Sequence, residues 1–438
     1  MKHKRYYFIG IGGIGMSALA QHLHAAGCDV YGYDKTPSRV TADLEALGVS
    51  IVFDQAVTAI PTACLNMDTQ IIYTPAIPDK HPQLHYFKTH NFKLQKRAAL
   101  LGDLTKASIT LAVAGTHGKT TTSAILAHLM HTADCAFTAF IGGVMKKHQS
   151  NYLNFGTDYC VVEADEYDRS FLHLFPKYAC VTSMDADHLD IYETTENIQD
   201  TYAQFIAQVS EAVIAPKELG LGTVHYAVQE QAHFSPHNII CTPTGYTFTL
   251  KTPKASYADV HFPMLGAHNI NNALAAVALA SQIGIPTATL VAGLASFKGI
   301  DRRMNIHHVD DKILVDDYAH HPTEIKAVYS SLKTHFPKAK LGVVFQPHLF
   351  SRTRDFWKDF TTTLAQFDTV ALMDIYPARE LPLPGITAAA LLDALPHGNK
   401  QIITDKALKT YIKNSSTDVI ALLGAGDIGV TIKTLVKS

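Results

Sequence analysis

The chain has 438 residues, 47% apolar and 17% charged, and at ~100–200 residues per domain it should fold into two to four domains, which excludes a disordered scaffold or a charged tail. Its 37 Lys and Arg against 39 Asp and Glu leave a net charge of −2, so no global basic field exists to hold a nucleic-acid backbone. Six scattered cysteines (Cys28, Cys64, Cys135, Cys160, Cys180 and Cys241), an N-terminal apolar stretch cut short at Gly10, Gly12 and Gly13, and no run near the ~18–20 apolar residues of a bilayer span predict reduced thiols, a cytoplasmic location and no membrane insertion.

The first element is an apolar β-type run over 6–11. It enters Gly10-x-Gly12-x-x-Gly15, and a helical stretch from Met16 to Ala26 follows. A second strand, Cys28 to Tyr33, ends in Asp34, 19 residues after Gly15, close to the ~20 of a dinucleotide fingerprint. Glycines let the backbone approach a diphosphate, and the helix start offers unpaired N–H groups and a positive dipole end. NAD, FAD and UDP-sugars all carry such a diphosphate, so the loop alone leaves the ligand open. Further strands at Gln70–Thr74 and Lys93–Gln95 complete a small α/β domain ending near Ala107.

A second strand-to-helix junction follows. The run Ile109 to Ala114 leads into Gly115-Thr-His-Gly118-Lys119-Thr120-Thr121-Thr122, then a helical stretch from Ser123 to His131. Two residues rather than four separate its glycines, so it matches the G-x-x-x-x-G-K-[ST] form only partly. It still has the glycine turn, a lysine for the β/γ-phosphates and a hydroxyl for Mg²⁺. Strand ends at Val162 and Thr182 deliver Glu163-Ala-Asp165-Glu166 and Asp185-Ala-Asp187-His188-Leu-Asp190, acids that can converge on a triphosphate at the carboxyl edge of a sheet. Hard-cation chemistry suits Thr120 and Glu163, with His188 as a nitrogen ligand to a second ion. The stretch His268-Asn269-Ile-Asn271-Asn272 precedes a helix over Leu274–Gln282, where the amides either cap the helix or meet an adenine edge. Beyond Gly299, strands at Lys312–Val315 and Lys340–Phe345, a helix at Thr323–Phe336 and a strand at Asp418–Leu423 before Gly424-Ala-Gly426 mark a third α/β domain.

Taken in order, Gly10–Ser17, Ala114–Thr122, Glu163–Glu166, Asp187–Asp190, His268–Asn272, Asp301–Arg303, Asp316–Glu324, Gln346–His348 and Ser351–Arg354 give a chain that resembles the Mur ligase family, the ATP-dependent amide-bond-forming enzymes of bacterial peptidoglycan precursor synthesis. The resemblance implies three α/β domains: a Rossmann-like UDP-sugar domain over 1–107, a P-loop ATPase-like central domain over 108–302 and a Rossmann-like closing domain over 303–438. It implies two nucleotides, UDP-sugar on the first loop (Gly10, Gly12, Gly13, Ile14, Gly15, Met16, Ser17 and Asp34) and ATP on the second (Gly115, Thr116, Gly118, Lys119, Thr120 and Thr121), with Asn269, Asn272, Arg303 and Asp317 completing the ATP site. Tyr318, His348, Arg352 and Arg354 fall near the sugar or the amino-acid carboxylate. Two Mg²⁺ ions are expected, on Thr120, Glu163 and His188, and the catalytic groups are Lys119, Glu163, His188 and the candidate base His320.

The form of the first glycine loop favours a member that joins L-alanine to the lactyl carboxylate of UDP-N-acetylmuramate through an acyl phosphate, over one that attaches a ready-made tripeptide. The expected partners are those small molecules and ATP, with no nucleic acid and a homodimer as the one assembly entertained. An NAD-dependent oxidoreductase accounts for Gly10–Gly15 and Asp34 but leaves Gly115–Thr122 without use, and a nucleotide-sensing module leaves the acids and the Arg pair without use. Two departures stand out: Leu349 follows Gln346-Pro-His348 where the family often has arginine, and no lysine lies between His188 and Lys217 to serve as the carbamylated bridge several relatives use.

Overall fold

A computed structural model describes residues 4–185, 192, 194–242, 244–378 and 380–437. The chain divides into two compact units, one of residues 1–237, 250–258 and 271–298, the other of 238–249, 259–270 and 299–438. The α/β class expected from the sequence is what is found.

In the first unit, strands β1 (Arg5–Ile9), β2 (Asp29–Tyr33), β3 (Ser50–Val52), β4 (Gln70–Tyr73) and β5 (Lys93–Lys96) form a parallel sheet in the order β3-β2-β1-β4-β5. The chain moves away from β1 in both directions, so the carboxyl ends of β1 and β4 flank a crevice, the place where open α/β sheets bind ligands. Helices α1 (Ile14–Ala25), α2 (Arg39–Ala46), α3 (Pro82–Thr89) and α4 (Arg97–Thr105) cover this sheet.

A second sheet is built from β6 (Ile109–Ala114), β7 (Phe137–Met145), β8 (Ser150–Asn154), β9 (Tyr159–Glu163), β10 (Tyr178–Val181), β11 (Ala212–Pro216) and β12 (Val224–Tyr226), in the order β12-β11-β10-β6-β9-β7-β8. Only β7 and β8 pair antiparallel, with a register shift between Phe140 and Met145. Strand β6 lies between β10 and β9, so the loop leading to α5 (Lys119–Thr132) opens beside the ends of both. The two sheets share one apolar cluster in which Phe8, Met16 and Leu100 meet Phe140, Tyr152 and Val162.

After a three-stranded sheet of β13 (Ser235–Thr242), β14 (Gly245–Lys251) and β15 (Ser256–Phe262), the last sheet comprises β16 (Asn305–Val309), β17 (Lys312–Asp317), β18 (Leu341–Phe345), β19 (Thr369–Leu372), β20 (Lys400–Ile402) and β21 (Val419–Leu423). Its order is β16-β17-β21-β18-β19-β20, with β16 the antiparallel edge. The ends of β17, β21 and β18 therefore sit side by side, at Asp317, Leu423 and Phe345.

Some boundaries differ from expectation. Helix α5 begins at Lys119, four residues early, because Gly118 in the left-handed region ends the loop and the helix takes the threonines as its first turn. The helix expected at Leu274 runs over Ala267–Ser281, so the asparagines lie inside its first turns and do not cap it. All six cysteines are free, and burial pushes the Cys160 and Cys180 thiols up to about 12. Among the described residues no helix is long and apolar enough to cross a membrane.

One buried histidine ties stability to pH. His128 of α5 hydrogen-bonds Ser296 through Nε2 at 2.9 Å. Burial, then nearby Lys147, pushes its pKa down to about 4. Below pH 6.5 the unfolded chain takes up a proton that the folded chain refuses, so stability falls as pH drops from 6.5 toward 4. We expect a loss of roughly 1–3 kcal/mol over that window at ~1.4 kcal/mol per unit, smaller in His128→Gln, read from urea midpoints at pH 7.0, 5.5 and 4.5.

Candidate functional site

The first glycine loop is held by the backbone. Gly10 and Ile11 N–H groups both donate to Tyr33 O, at 2.8 and 3.0 Å, and the Gly12 N–H donates to Asp34 Oδ2 at 2.7 Å. Asp34 thus braces the turn. Helix α1 starts after Gly13 with no side-chain cap and no acid in its first turn, leaving N–H groups available to an anion. Ser17 is fully buried and donates to Ile14 O at 3.0 Å, with Asn151 Nδ2 on the same carbonyl at 2.6 Å. Ser17 therefore supports the loop from behind.

The second loop gathers charge. Lys119 Nζ donates to Gly115 O at 2.6 Å and to Thr116 O at 3.3 Å, and pairs with Glu166 at 2.8 Å. The Lys119 and Glu166 side chains are 13% and 5% exposed. Burial opposes the Lys119 charge, but Glu166, Asp165 and Glu163 more than offset it and the ammonium is held in its charged form. Burial pushes Glu163 up, against the pull of Lys119 and Thr120, and Glu166 up to about 7.

Thr120 Oγ1 donates to Glu163 Oε1 at 3.1 Å, and the bulged part of β7 presents the Gly142 N–H to Glu163 Oε2 at 2.9 Å. Thr122 reaches Asn272 Oδ1 at 3.3 Å. The loop is closed from the β10 side, where His117 N–H donates to Ser183 Oγ at 2.9 Å and Thr116 Oγ1 donates to Asp185 O at 2.9 Å. His188, with Asp187 and Asp190, lies outside the described residues.

A cavity of about 290 Å³ connects the two loops' surroundings, running from Gly13–Met16 past Thr74, Ala76 and Arg97 to Phe140–Gly142, Glu163 and Asp165. Among the described residues no three or more His, Cys, Asp or Glu side chains converge to hold a metal ion. The donor set of Thr120 and Glu163 is a hydroxyl and a carboxylate oxygen 3.1 Å apart, which fits a hard cation that fills its shell with phosphate oxygens and water.

The second unit carries its own cluster at the ends of β17 and β18. Asp317 is buried and accepts from Met304 N–H and Ala319 N–H, both at 2.8 Å. Burial pushes its carboxyl up to about 6, against the pull of Arg303. Arg302 and Arg303 lie over the Tyr318 ring at 5.2 and 5.3 Å. His320 Nδ1 sits 2.9 Å from Tyr318 O and 3.3 Å from Glu324, with the His348 ring 5.8 Å away. His348 stacks on Tyr376 and reaches Arg352 Nη1 at 3.5 Å. Asn269 Nδ2 donates to Leu265 O at 2.6 Å.

Arg354 does not join this group. It is two residues from Arg352 on the short helix Phe350–Asp355, where i and i+2 do not share a face, and it is exposed and paired with Asp355 at 2.7 Å. Leu349 is buried, with φ at 71° and its N–H on Tyr376 O at 3.0 Å, so its side chain adds no cation to this cluster.

Sequence reasoning gives no role to Arg97 or Gly142, and Arg302 and Glu324 stand in it only inside longer motifs. Arg302 pairs with Asp316 at 3.3 Å and Glu324 accepts from His320 N–H at 2.9 Å. Arg97 left a signal, because a cation opening a helix opposes the macrodipole.

Family models match three stretches of the chain: the Mur ligase family catalytic domain over 5–108, the Mur ligase middle domain over 113–280 and the Mur ligase glutamate ligase domain over 302–426. The UDP-N-acetylmuramate–L-alanine ligase of Flavobacterium johnsoniae is 47% identical over 434 residues, 98% of this chain and 97% of that one. That of Porphyromonas gingivalis is 42% identical over 440 residues, 97% and 96% of the two chains. A crystal structure of the Thermotoga maritima UDP-N-acetylmuramate-alanine ligase superposes with a TM-score of 0.84 at 27% identity, covering 99% of each chain. A murein peptide ligase from Psychrobacter arcticus shares the fold, with a TM-score of 0.76 at 24% identity over 99% and 98%.

The Glu163 carboxylate rests where a side chain at Gly142 would fall. Gly142→Ala should therefore displace it and weaken Mg²⁺-nucleotide binding by on the order of tenfold, since a misplacement of ~1 Å can cost up to ~100-fold. Calorimetric titration with Mg²⁺ and ATP checks this, with the melting temperature as the control for global unfolding.

Proposed function

Because the chain belongs to the Mur ligase family, we propose that it joins L-alanine to the lactyl carboxylate of UDP-N-acetylmuramate, driven by cleavage of ATP to ADP and phosphate. The observation that carries this reading is the pair of phosphate loops, Gly10–Gly15 and Gly115–Thr120, with one cavity leading from the first to Glu163. An NAD-dependent oxidoreductase has no use for the second loop. Full-length likeness to L-alanine ligases supports the choice of amine.

A carboxylate is a poor acyl donor, so one of its oxygens attacks the γ-phosphorus of ATP and ADP leaves. The L-alanine amine then attacks the acyl carbon and phosphate leaves. Lys119 faces the charge that spreads over the transferring phosphoryl group, and its protonated state suits that role. Thr120 and Glu163 would hold one Mg²⁺, which supplies further neutralisation of the phosphate oxygens when bound. The alanine ammonium must lose a proton before attack. We assign that proton to His320, whose ring Tyr318 O and Glu324 orient. Asn272, Arg303 and Asp317 are assigned to ATP, and Tyr318, His348 and Arg352 to the sugar or amino-acid carboxylate. The domain limits at 107 and 302 and a cytoplasmic location complete the reading, the latter supported by six free cysteines.

The test is phosphate release from ATP with Mg²⁺ and UDP-N-acetylmuramate, comparing L-alanine, the tripeptide and no amine, with product mass recorded. We expect release that depends on L-alanine and a product heavier by one alanyl residue. Release with the tripeptide alone would make the chain a recycling ligase, and release with neither amine would overturn the reading. Lys119→Ala should abolish turnover by ~10³-fold or more while UDP-sugar binding persists.

A further inference from the structure

Arg97 is the one cation in the lining of the 290 Å³ cavity, among the described residues. It opens helix α4 with no side-chain cap and no acid in the first turn, a place where the helix dipole disfavours positive charge. Its Nη2 donates to Asp165 Oδ2 at 3.2 Å, and the pair is partly open, with side chains 20% and 36% exposed. An ion pair this accessible adds little to folding, so stability alone does not explain a cation set against a helix start.

Gly15 supplies the second half of the argument. A Cβ built on it would lie 2.7 Å from Arg97 Nη1, so the guanidinium rests on the first turn of α1, the turn whose N–H groups carry no cap. The absence of a side chain at this glycine thus brings a five-donor fork and a row of backbone donors to the same spot. That combination matches a doubly oxygenated anion, phosphate or carboxylate, which an arginine holds through two parallel hydrogen bonds.

We propose that Arg97 is a binding residue for an anionic oxygen group of the sugar nucleotide, the diphosphate or the lactyl carboxylate, and that Asp165 is the counter-ion it exchanges for that group. The inference rests on the reading of the chain as a UDP-N-acetylmuramate ligase. It adds a link between the two nucleotides, because Asp165 belongs to the same 163–166 segment as Glu163 and Glu166, the groups that face Thr120 and Lys119.

The experiment is calorimetric titration of the full chain, without ATP, with UDP-N-acetylmuramate and with UDP-N-acetylglucosamine, which keeps the diphosphate and lacks the lactyl carboxylate. Arg97→Ala should weaken binding about ten- to hundredfold, and Arg97→Lys, which keeps the charge and loses the fork, should fall between. A loss for both nucleotides assigns the diphosphate, and a loss for UDP-N-acetylmuramate alone assigns the carboxylate. Asp165→Asn should tighten binding a few-fold, because Arg97 loses its competitor. A structural ion pair predicts instead that either substitution lowers the melting temperature alike and leaves both affinities within twofold, a result that overturns the proposal. L-alanine-dependent phosphate release by the unsubstituted chain is recorded on the same preparation. If it is present and Arg97→Lys binds as tightly as the parent, this inference alone fails; if it is absent, the functional reading fails and takes the inference with it.

Discussion

An ammonium and two carboxylates share a space from which water is largely excluded, and the central sheet is arranged around that demand. Lys119, Glu163 and Glu166 could not be buried singly, since an isolated charge out of water is heavily penalised. They are tolerated because β6, β9 and β10 end at one point, where loop carbonyls of Gly115 and Thr116, the Thr120 hydroxyl and the Gly142 N–H supply the missing partners. A triphosphate with its cation is itself a dense array of charge. On the proposed function, ligand atoms would take over from these internal partners, the preorganisation on which phosphoryl transfer depends.

The second unit solves the same problem on a smaller scale. Asp317 is buried at a strand end, fed by two backbone N–H groups, with Arg303 as the nearby cation. Arg302 is committed to Asp316 and to the Gly426 carbonyl, while Arg303 stands near Asp317 and over the Tyr318 ring. The two separate because the chain turns here ahead of β16, with Arg302 in the left-handed region at φ 60°.

What the sequence made legible follows from this. Strands β1, β6, β9, β17, β18 and β21 lie within about two residues of the apolar runs visible in the sequence, because each is a short apolar segment buried among parallel neighbours. Both glycine loops and Glu163 could be read locally, since the glycines, the lysine and the hydroxyl are adjacent in the chain. Strands β7 and β8 leave no such mark, their pattern interrupted by Gly142, Gly143 and a register shift that only the partner strand reveals. Arg97 and Asp165 stand 68 residues apart, and no local pattern reports a contact of that span. Arg354 stands beside Arg352 only through the family motif Ser351–Arg354, whereas the helix turns the two apart and leaves Arg354 on Asp355.

The β7–β8 hairpin is fastened beside both loops of the first unit: the Gly142 N–H holds Glu163 at the end of β9, and Asn151 on the returning strand holds the Ile14 carbonyl at the start of α1. Local stability in proteins is organised in cooperative segments rather than residue by residue. A hairpin fastened at both places makes the start of α1 and the end of β9 members of one such segment. Order imposed on the uncapped first turn of α1 is thereby carried through the hairpin to Gly142, the backbone group that holds Glu163.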